Sequence, residues 1–167
     1  MNDSLGTSFS YRGDVKIHIQ NRNGMCNSPF YFHNNGTKVL FDAITRALCG
    51  KDISDEIPTY LDIYIYDSSG TTRLGSKLKH PLPFTGTVWG DSAGATAREG
   101  KLLFKTLITL SDIGYMTVSN SDKAQLVLLS KSGQVLCTVD TALNWLDEIT
   151  ASSDGLVVWT LTFSNEL

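Results

Sequence analysis

Charge is scarce in this sequence, and long apolar runs are missing from it. Only 19% of its 167 residues are charged, against roughly 25% in an average soluble domain. The net charge is −3 and no basic block occurs, which argues against recognition of DNA or RNA by a charged face. No apolar run reaches the roughly 18 residues of a membrane span. The low charge indicates instead that partners cover part of the surface.

Cysteine is also rare. Cys26, Cys49 and Cys137 are odd in number and far apart in the sequence, so they predict no disulfide framework. The polar N-terminus lacks the apolar segment of a secretory signal. We therefore expect the chain to fold in a reducing cytoplasm.

One amphipathic helix stands among many strand patterns. It is predicted over residues 37–49, where six apolar residues lie on one stripe: Val39, Leu40, Ala43, Ile44, Ala47 and Leu48. Elsewhere apolar and polar residues alternate between turns rich in glycine, asparagine, aspartate and serine. The sequence predicts a mainly β fold, an antiparallel β-sandwich of seven to eight strands with one amphipathic α-helix.

The length of the chain fits one domain. Residues 1–13 are expected to be a flexible or docking N-terminal arm, and residues 14–167 a single β-sandwich domain. Within it, residues 74–84 are expected to be irregular and the glycine-rich residues 90–100 to form a mobile loop. Residues 141–149 fit either a helical turn or a loop.

No pattern of residues predicts catalysis. Cys26 and His33 could meet across a turn, with His18 on a neighbouring strand, but their spacing matches no zinc site. No oxyanion motif accompanies a Cys–His pair, and nothing indicates that the loop carboxylates converge. Phosphate-binding and nucleophile-elbow motifs are absent. We expect no enzyme, no catalytic residue, no metal and no cofactor.

Three tyrosines form the most distinctive surface feature. They alternate with apolar residues, so Tyr60, Tyr64 and Tyr66 share the strand face that points away from the core. This face is either a second buried layer, under the helix, or a contact surface, because tyrosine is favoured at interfaces. Trp89 and Trp145 lie near predicted loop edges and are the other candidate interface residues.

Residues 33–50 read HNNGTKVLFDAITRALCG, and strands follow as far as LVVWTLTF at residues 156–163. A strand, a polar turn, one amphipathic helix and an antiparallel sandwich that closes on an apolar strand resemble the layout of small accessory virion proteins of tailed bacteriophages. The resemblance implies a non-enzymatic structural protein of the tail, the neck or the capsid surface. It implies a homo-oligomer, other virion proteins as partners, and location in the virion after folding in the host cytoplasm.

A carbohydrate- or receptor-binding module is the alternative. Aromatic platforms on a sandwich suit sugars, and Trp89, Trp145 and the tyrosines are the candidates for a glycan platform. A third hypothesis is an enzyme whose active site is assembled from residues distant in the sequence, since the fold class alone does not determine function. Neither a membrane nor a specific nucleic acid is expected as a partner.

Overall fold

Strands account for about half of the chain, 51%, in the computed structural model. The structure describes residues 8–84, 86–89 and 100–166, with side chains described over 11–84 and 100–163. Its ten strands are β1 (Ser8–Asn21), β2 (Phe30–Gly36), β3 (Pro58–Tyr66), β4 (Arg73–Ser76), β5 (Leu82–Pro83), β6 (Gly86–Trp89), β7 (Lys101–Ile108), β8 (Lys123–Ser130), β9 (Val135–Thr141) and β10 (Ser153–Glu166). The described helices are α1 (Lys38–Leu48) and two short 3₁₀ helices (Leu110–Asp112, Asn144–Glu148).

The strands form one antiparallel sheet in the order β4-β3-β8-β9-β2-β1-β10-β7-β6, with β5 paired to β3. This sheet curls into a half-barrel. We call β1, β10, β7 and β6 the long wing, and β3, β4, β8 and β9 the short wing. The mainly β, antiparallel class with one α-helix is confirmed, whereas two separate sheets of a sandwich are not, because β2 links the wings.

Strand β2 links the wings because its two ends pair with different neighbours. Its first part, Phe30 to Asn34, pairs with β1, and its last residues, Asn35 and Gly36, pair with β9. At this corner a methyl group on Gly13 of β1 would overlap the Asn34 amide. Glycine leaves room there for the Asn34 side chain, which any Cβ on residue 13 would have to displace.

The pairing of β1 with β10 runs the full length of both strands, from Ser8 opposite Glu166 to Asn21 opposite Ser153. Residues 8–13, which the sequence assigned to an N-terminal arm, are therefore the first part of β1. Residues 1–7 lie outside the described residues, and so do residues 90–99 of the predicted mobile loop. The stretch 141–149 contains the second 3₁₀ helix.

The inner faces of both wings enclose a single hydrophobic core. Its largest fully buried side chains are Trp145, Trp159, Phe104, Ile17, Leu61, Ile63, Ile65, Ile108, Leu126, Leu128, Leu136 and Leu161. Helix α1 adds Leu40 to this core. Its last turn does not reach the core, and Leu48, which the sequence placed on the buried stripe, is 82% exposed.

Substitution of Gly13 by alanine tests the corner. The added methyl group must displace the Asn34 side chain or the backbone, and overpacking of this kind costs roughly 1–3 kcal/mol. We expect Gly13→Ala to lower the free energy of unfolding by about that amount in urea titrations. In an Asn34→Ala background, where the amide is gone, the same change should cost clearly less. Equal costs in both backgrounds would show that the contact does not constrain the corner.

Candidate functional site

The outer side of the short wing carries the three tyrosines. Alternation along β3 places Leu61, Ile63 and Ile65 in the core and the residues between them on the opposite side of the sheet. The pairing of β3 with β8 adds four residues of β8 to that side. We call this surface the tyrosine face; it consists of Tyr60, Asp62, Tyr64, Tyr66, Lys123, Gln125, Val127 and Leu129.

The tyrosine face has a small hydrophobic cluster of its own. Tyr64 is 8% exposed, Val127 and Leu129 are buried with it, and Tyr60 and Tyr66 are half-buried against them. The hydrophobic members of this cluster come from β3, β8 and β9, whereas α1 packs on the core. Tyr64 is thus a packing residue, while Tyr60 and Tyr66 keep surface that a partner can cover.

A buried carboxylate lies among these tyrosines. Asp62 is 4% exposed; its Oδ1 accepts a hydrogen bond from the Ile63 N–H at 2.7 Å and its Oδ2 accepts one from the Ser76 hydroxyl at 3.2 Å. Burial raises the pKa of Asp62, and these hydrogen bonds and nearby Arg73 oppose the rise only in part. Charge is therefore costly at the centre of this face.

Arg73, on the edge strand β4, covers part of the face. Its guanidinium carbon lies 4.2 Å from the centroid of the Tyr64 ring, which is within the range of a cation–π contact. Burial raises the pKa of Tyr64, and the arginine acts against that rise. The arginine explains how Tyr64 is buried without a covering helix.

A groove of about 610 Å³ begins at Tyr66 and runs past the ends of β8 and β9. Its floor includes Gln125, whose Nε2 donates to Asp140 Oδ1 at 2.8 Å. Lys123 and Asp122 lie on its wall. The groove therefore presents polar side chains beside one aromatic ring.

The two tryptophans do not belong to this surface. Trp145 is 0% exposed, and its Nε1 donates to Thr141 Oγ1 at 3.2 Å. The prediction that Trp145 is a contact residue is wrong, because its 3₁₀ helix turns the ring into the core. Trp89 pairs with Leu102 through its backbone, and its side chain lies outside the described side chains.

The candidate Cys–His site is not assembled. His33 Nδ1 lies 2.7 Å from Asp14 Oδ1. Cys26 instead forms an isolated backbone β-bridge with Gln20, further along β1. At about 3.3 Å per residue, the stretch of β1 from Asp14 to Gln20 separates the two by about 20 Å. Within the described residues, no group of three or more His, Cys, Asp or Glu side chains could hold a metal ion.

A buried polar cluster at the corner has no signal in the sequence. The Tyr11 hydroxyl donates to Asn34 Oδ1 at 2.5 Å and lies 3.2 Å from Cys137 Sγ. Burial raises the pKa of Tyr11 and raises that of Cys137 to about 12. Since the thiolate is the nucleophile and the metal ligand, the protonated Cys137 serves packing.

No protein family, no curated protein and no solved structure matches this chain. In the part of the chain that the structure describes, no helix is long and apolar enough to cross a membrane. The function must therefore be inferred from the surfaces of the molecule.

The buried carboxylate makes stability depend on pH. Because the folded pKa of Asp62 is raised, its contribution to stability is fully present below the ordinary value of 3.8 and is lost as pH rises through the folded pKa. We expect Asp62→Asn to be more stable than the wild type near neutral pH, with the difference shrinking on acidification. Urea titrations across this pH range measure it.

Asp67 provides the matched control. Hydrogen bonds from the Ser69 hydroxyl and from backbone N–H groups lower the pKa of Asp67 to about 2. Its contribution is present above 3.8 and is lost as pH falls towards 2. Asp67→Asn should therefore be less stable than the wild type near neutral pH. A loss of stability near neutral pH in both variants would contradict the description of Asp62.

Proposed function

We propose that this protein is a non-enzymatic structural protein of a bacteriophage virion, in the tail, the neck or the capsid surface, which assembles through protein–protein contacts. The tyrosine face is the observation that supports the proposal most. When one face of an antiparallel sheet packs on the core, the other is commonly polar and solvated. Here Tyr60 and Tyr66 flank an outer cluster that contains Val127 and Leu129, so the face suits a protein partner.

The chemistry of the tyrosine face fits a contact surface in a second respect. Tyrosine combines a large apolar area with a polar tip, and aromatic residues are enriched at interfaces from which most charged residues are depleted. The one carboxylate at its centre, Asp62, is buried and hydrogen-bonded. The exposed charges beside it are Arg73 on edge strand β4 and Lys123 at the start of β8, where the polar rim of a partner can pair with them.

The partners in this proposal are further copies of the chain and other virion proteins. In a symmetric oligomer, such as a ring, every copy makes its contacts through the same surface. We also propose that the two wings act as the two layers of a sandwich, since one core lies between them. The outer face of each wing is then the surface left for contacts. The virion is the proposed location, reached after folding in the host cytoplasm.

A carbohydrate- or receptor-binding module is the second candidate. The groove at Tyr66, with Gln125 and Asp140 as hydrogen-bonding groups, is the observation that favours it. The assembly proposal is preferred because Trp145, one of the expected sugar platforms, is buried. Binding of glycans is therefore an alternative outcome of the experiments on the tyrosine face.

The virion proposal predicts co-sedimentation. An antibody to this chain, applied to density-gradient fractions of lysate from its source, should react with the fractions that hold DNA-filled particles. Immunogold label should lie at one fixed site on each particle, because a structural component occupies a defined position. Reactivity confined to the soluble fractions would contradict the proposal.

The tyrosine face is tested by the double substitution Tyr60→Ser and Tyr66→Ser. We expect the wild type to sediment as an oligomer and the variant to shift to a monomer, since the contact area of both rings is lost. Tyr115→Ser is the matched control, because Tyr115 is 98% exposed outside the tyrosine face. Circular dichroism checks that each variant is folded.

The outcome against assembly is equally clear. The tyrosine face would not mediate self-association if the wild type sedimented as a monomer at all concentrations. The same conclusion would follow if both variants left an oligomer intact. A monomer that binds glycans saturably, with loss of binding in Tyr66→Ser, would favour the second candidate.

A further inference from the structure

The outer face of the long wing gathers cations that lie far apart in the sequence. Arg12 and Lys16 are on β1, and Lys101 and Lys105 are on β7. Strand β10 lies between them: Val158 pairs with both Lys16 and Lys105, and Thr162 pairs with both Arg12 and Lys101. We call Arg12, Lys16, Tyr31, Lys101 and Lys105 the basic face.

The spacing of these cations follows from the sheet. Neighbouring strands lie about 4.8 Å apart and each residue advances a strand by about 3.3 Å. The four cations therefore mark a patch about 10 Å wide and 13 Å long. Arg12, Lys16 and Lys101 are exposed and Lys105 is half-buried, so these side chains reach solvent on one side of the sheet.

Among the residues whose side chains the structure describes, two carboxylates lie on this side of the long wing. Asp14 lies on β1 between Arg12 and Lys16 and accepts from Arg12 Nε at 2.9 Å. Asp154 lies towards the far end of β10, opposite Gln20. Among the described side chains, the cations of the basic face thus outnumber the carboxylates beside them, whereas the net charge of the chain is −3.

An exposed aromatic ring stands beside the cations. Tyr31 of β2 pairs with Lys16, is 63% exposed and has the Lys16 ammonium 5.2 Å from its ring centroid. Cations that follow a phosphate backbone, together with an aromatic ring on which a base can stack, are typical of surfaces that bind single strands. The half-buried threonines Thr160 and Thr162 add hydroxyl donors of the kind that contact phosphate oxygens.

We propose that the basic face binds single-stranded nucleic acid, with the cations on its phosphates and Tyr31 stacked on a base. An acidic protein segment would leave Tyr31 without a base to stack on, and a duplex keeps its bases stacked inside. The contacts are to the backbone, so no base sequence is preferred. This binding goes beyond the proposed structural role and does not depend on it.

The test is fluorescence anisotropy with a labelled single-stranded DNA of mixed sequence and about 20 nucleotides. Contacts with about three phosphates give a slope of log K against log salt near −2, so raising salt from about 50 to 200 mM should weaken binding about 15-fold. The variant Lys16→Gln/Lys105→Gln should reduce that salt effect to about threefold. Tyr31→Ser should weaken binding at least about fivefold.

A matched variant controls for net charge. Lys51→Gln/Lys131→Gln removes two exposed lysines that follow α1 and β8, and should leave affinity and salt dependence unchanged. Glutamine keeps much of the apolar stem of lysine, and circular dichroism verifies folding. No saturable binding at low salt, an equal loss in the control, or tighter binding to a duplex of the same length would overturn the proposal.

Discussion

The structure depends on the corner at which β2 leaves one wing and joins the other. Strand β2 pairs with β1 of the long wing as far as Asn34 and with β9 of the short wing at Asn35 and Gly36, and so joins the two wings within the described residues. At the corner the Asn34 side chain lies over Gly13, in space that a Cβ would occupy. The hydroxyl, amide and thiol of Tyr11, Asn34 and Cys137 then meet inside it. Burial raises the pKa of Cys137 and so keeps its thiol protonated. The cluster therefore serves packing at the corner.

Two outer faces of different chemistry follow from this corner. One core is sufficient for both wings, so each wing leaves its other side to solvent or to partners. The tyrosine face is aromatic around a buried carboxylate, and the basic face is cationic beside Tyr31. The two proposals rest on separate faces of the molecule, and neither depends on the other.

Local patterns in the sequence predicted the elements well. The alternation of tyrosines and apolar residues located β3, and the strand predicted at residues 156–163 lies within β10. The apolar stripe placed a helix at residues 37–49, where α1 spans Lys38–Leu48. The tyrosines were correctly assigned to the side of β3 opposite Leu61, Ile63 and Ile65. These predictions succeeded because the period of a strand or a helix is a local property.

The features that escaped prediction depend on distant pairings. Nothing local to β2 indicates that Asn34 pairs in one wing and Asn35 in the other. The basic face was missed, and net charge argued against it, because β10 brings together cations of β1 and β7, which lie far apart in the sequence. The burial of Trp145 follows from how its 3₁₀ helix lies on the core. The periodicity of the sequence does not indicate that position.

The most direct measurement is a cryo-electron microscopy reconstruction of the purified particle in which this chain is traced. The account predicts that Tyr60 and Tyr66 are covered by a neighbouring subunit at a fixed site and that β2 joins the two wings within each copy. A reconstruction that contains the chain but leaves the tyrosine face open to solvent in every copy would contradict the central claim.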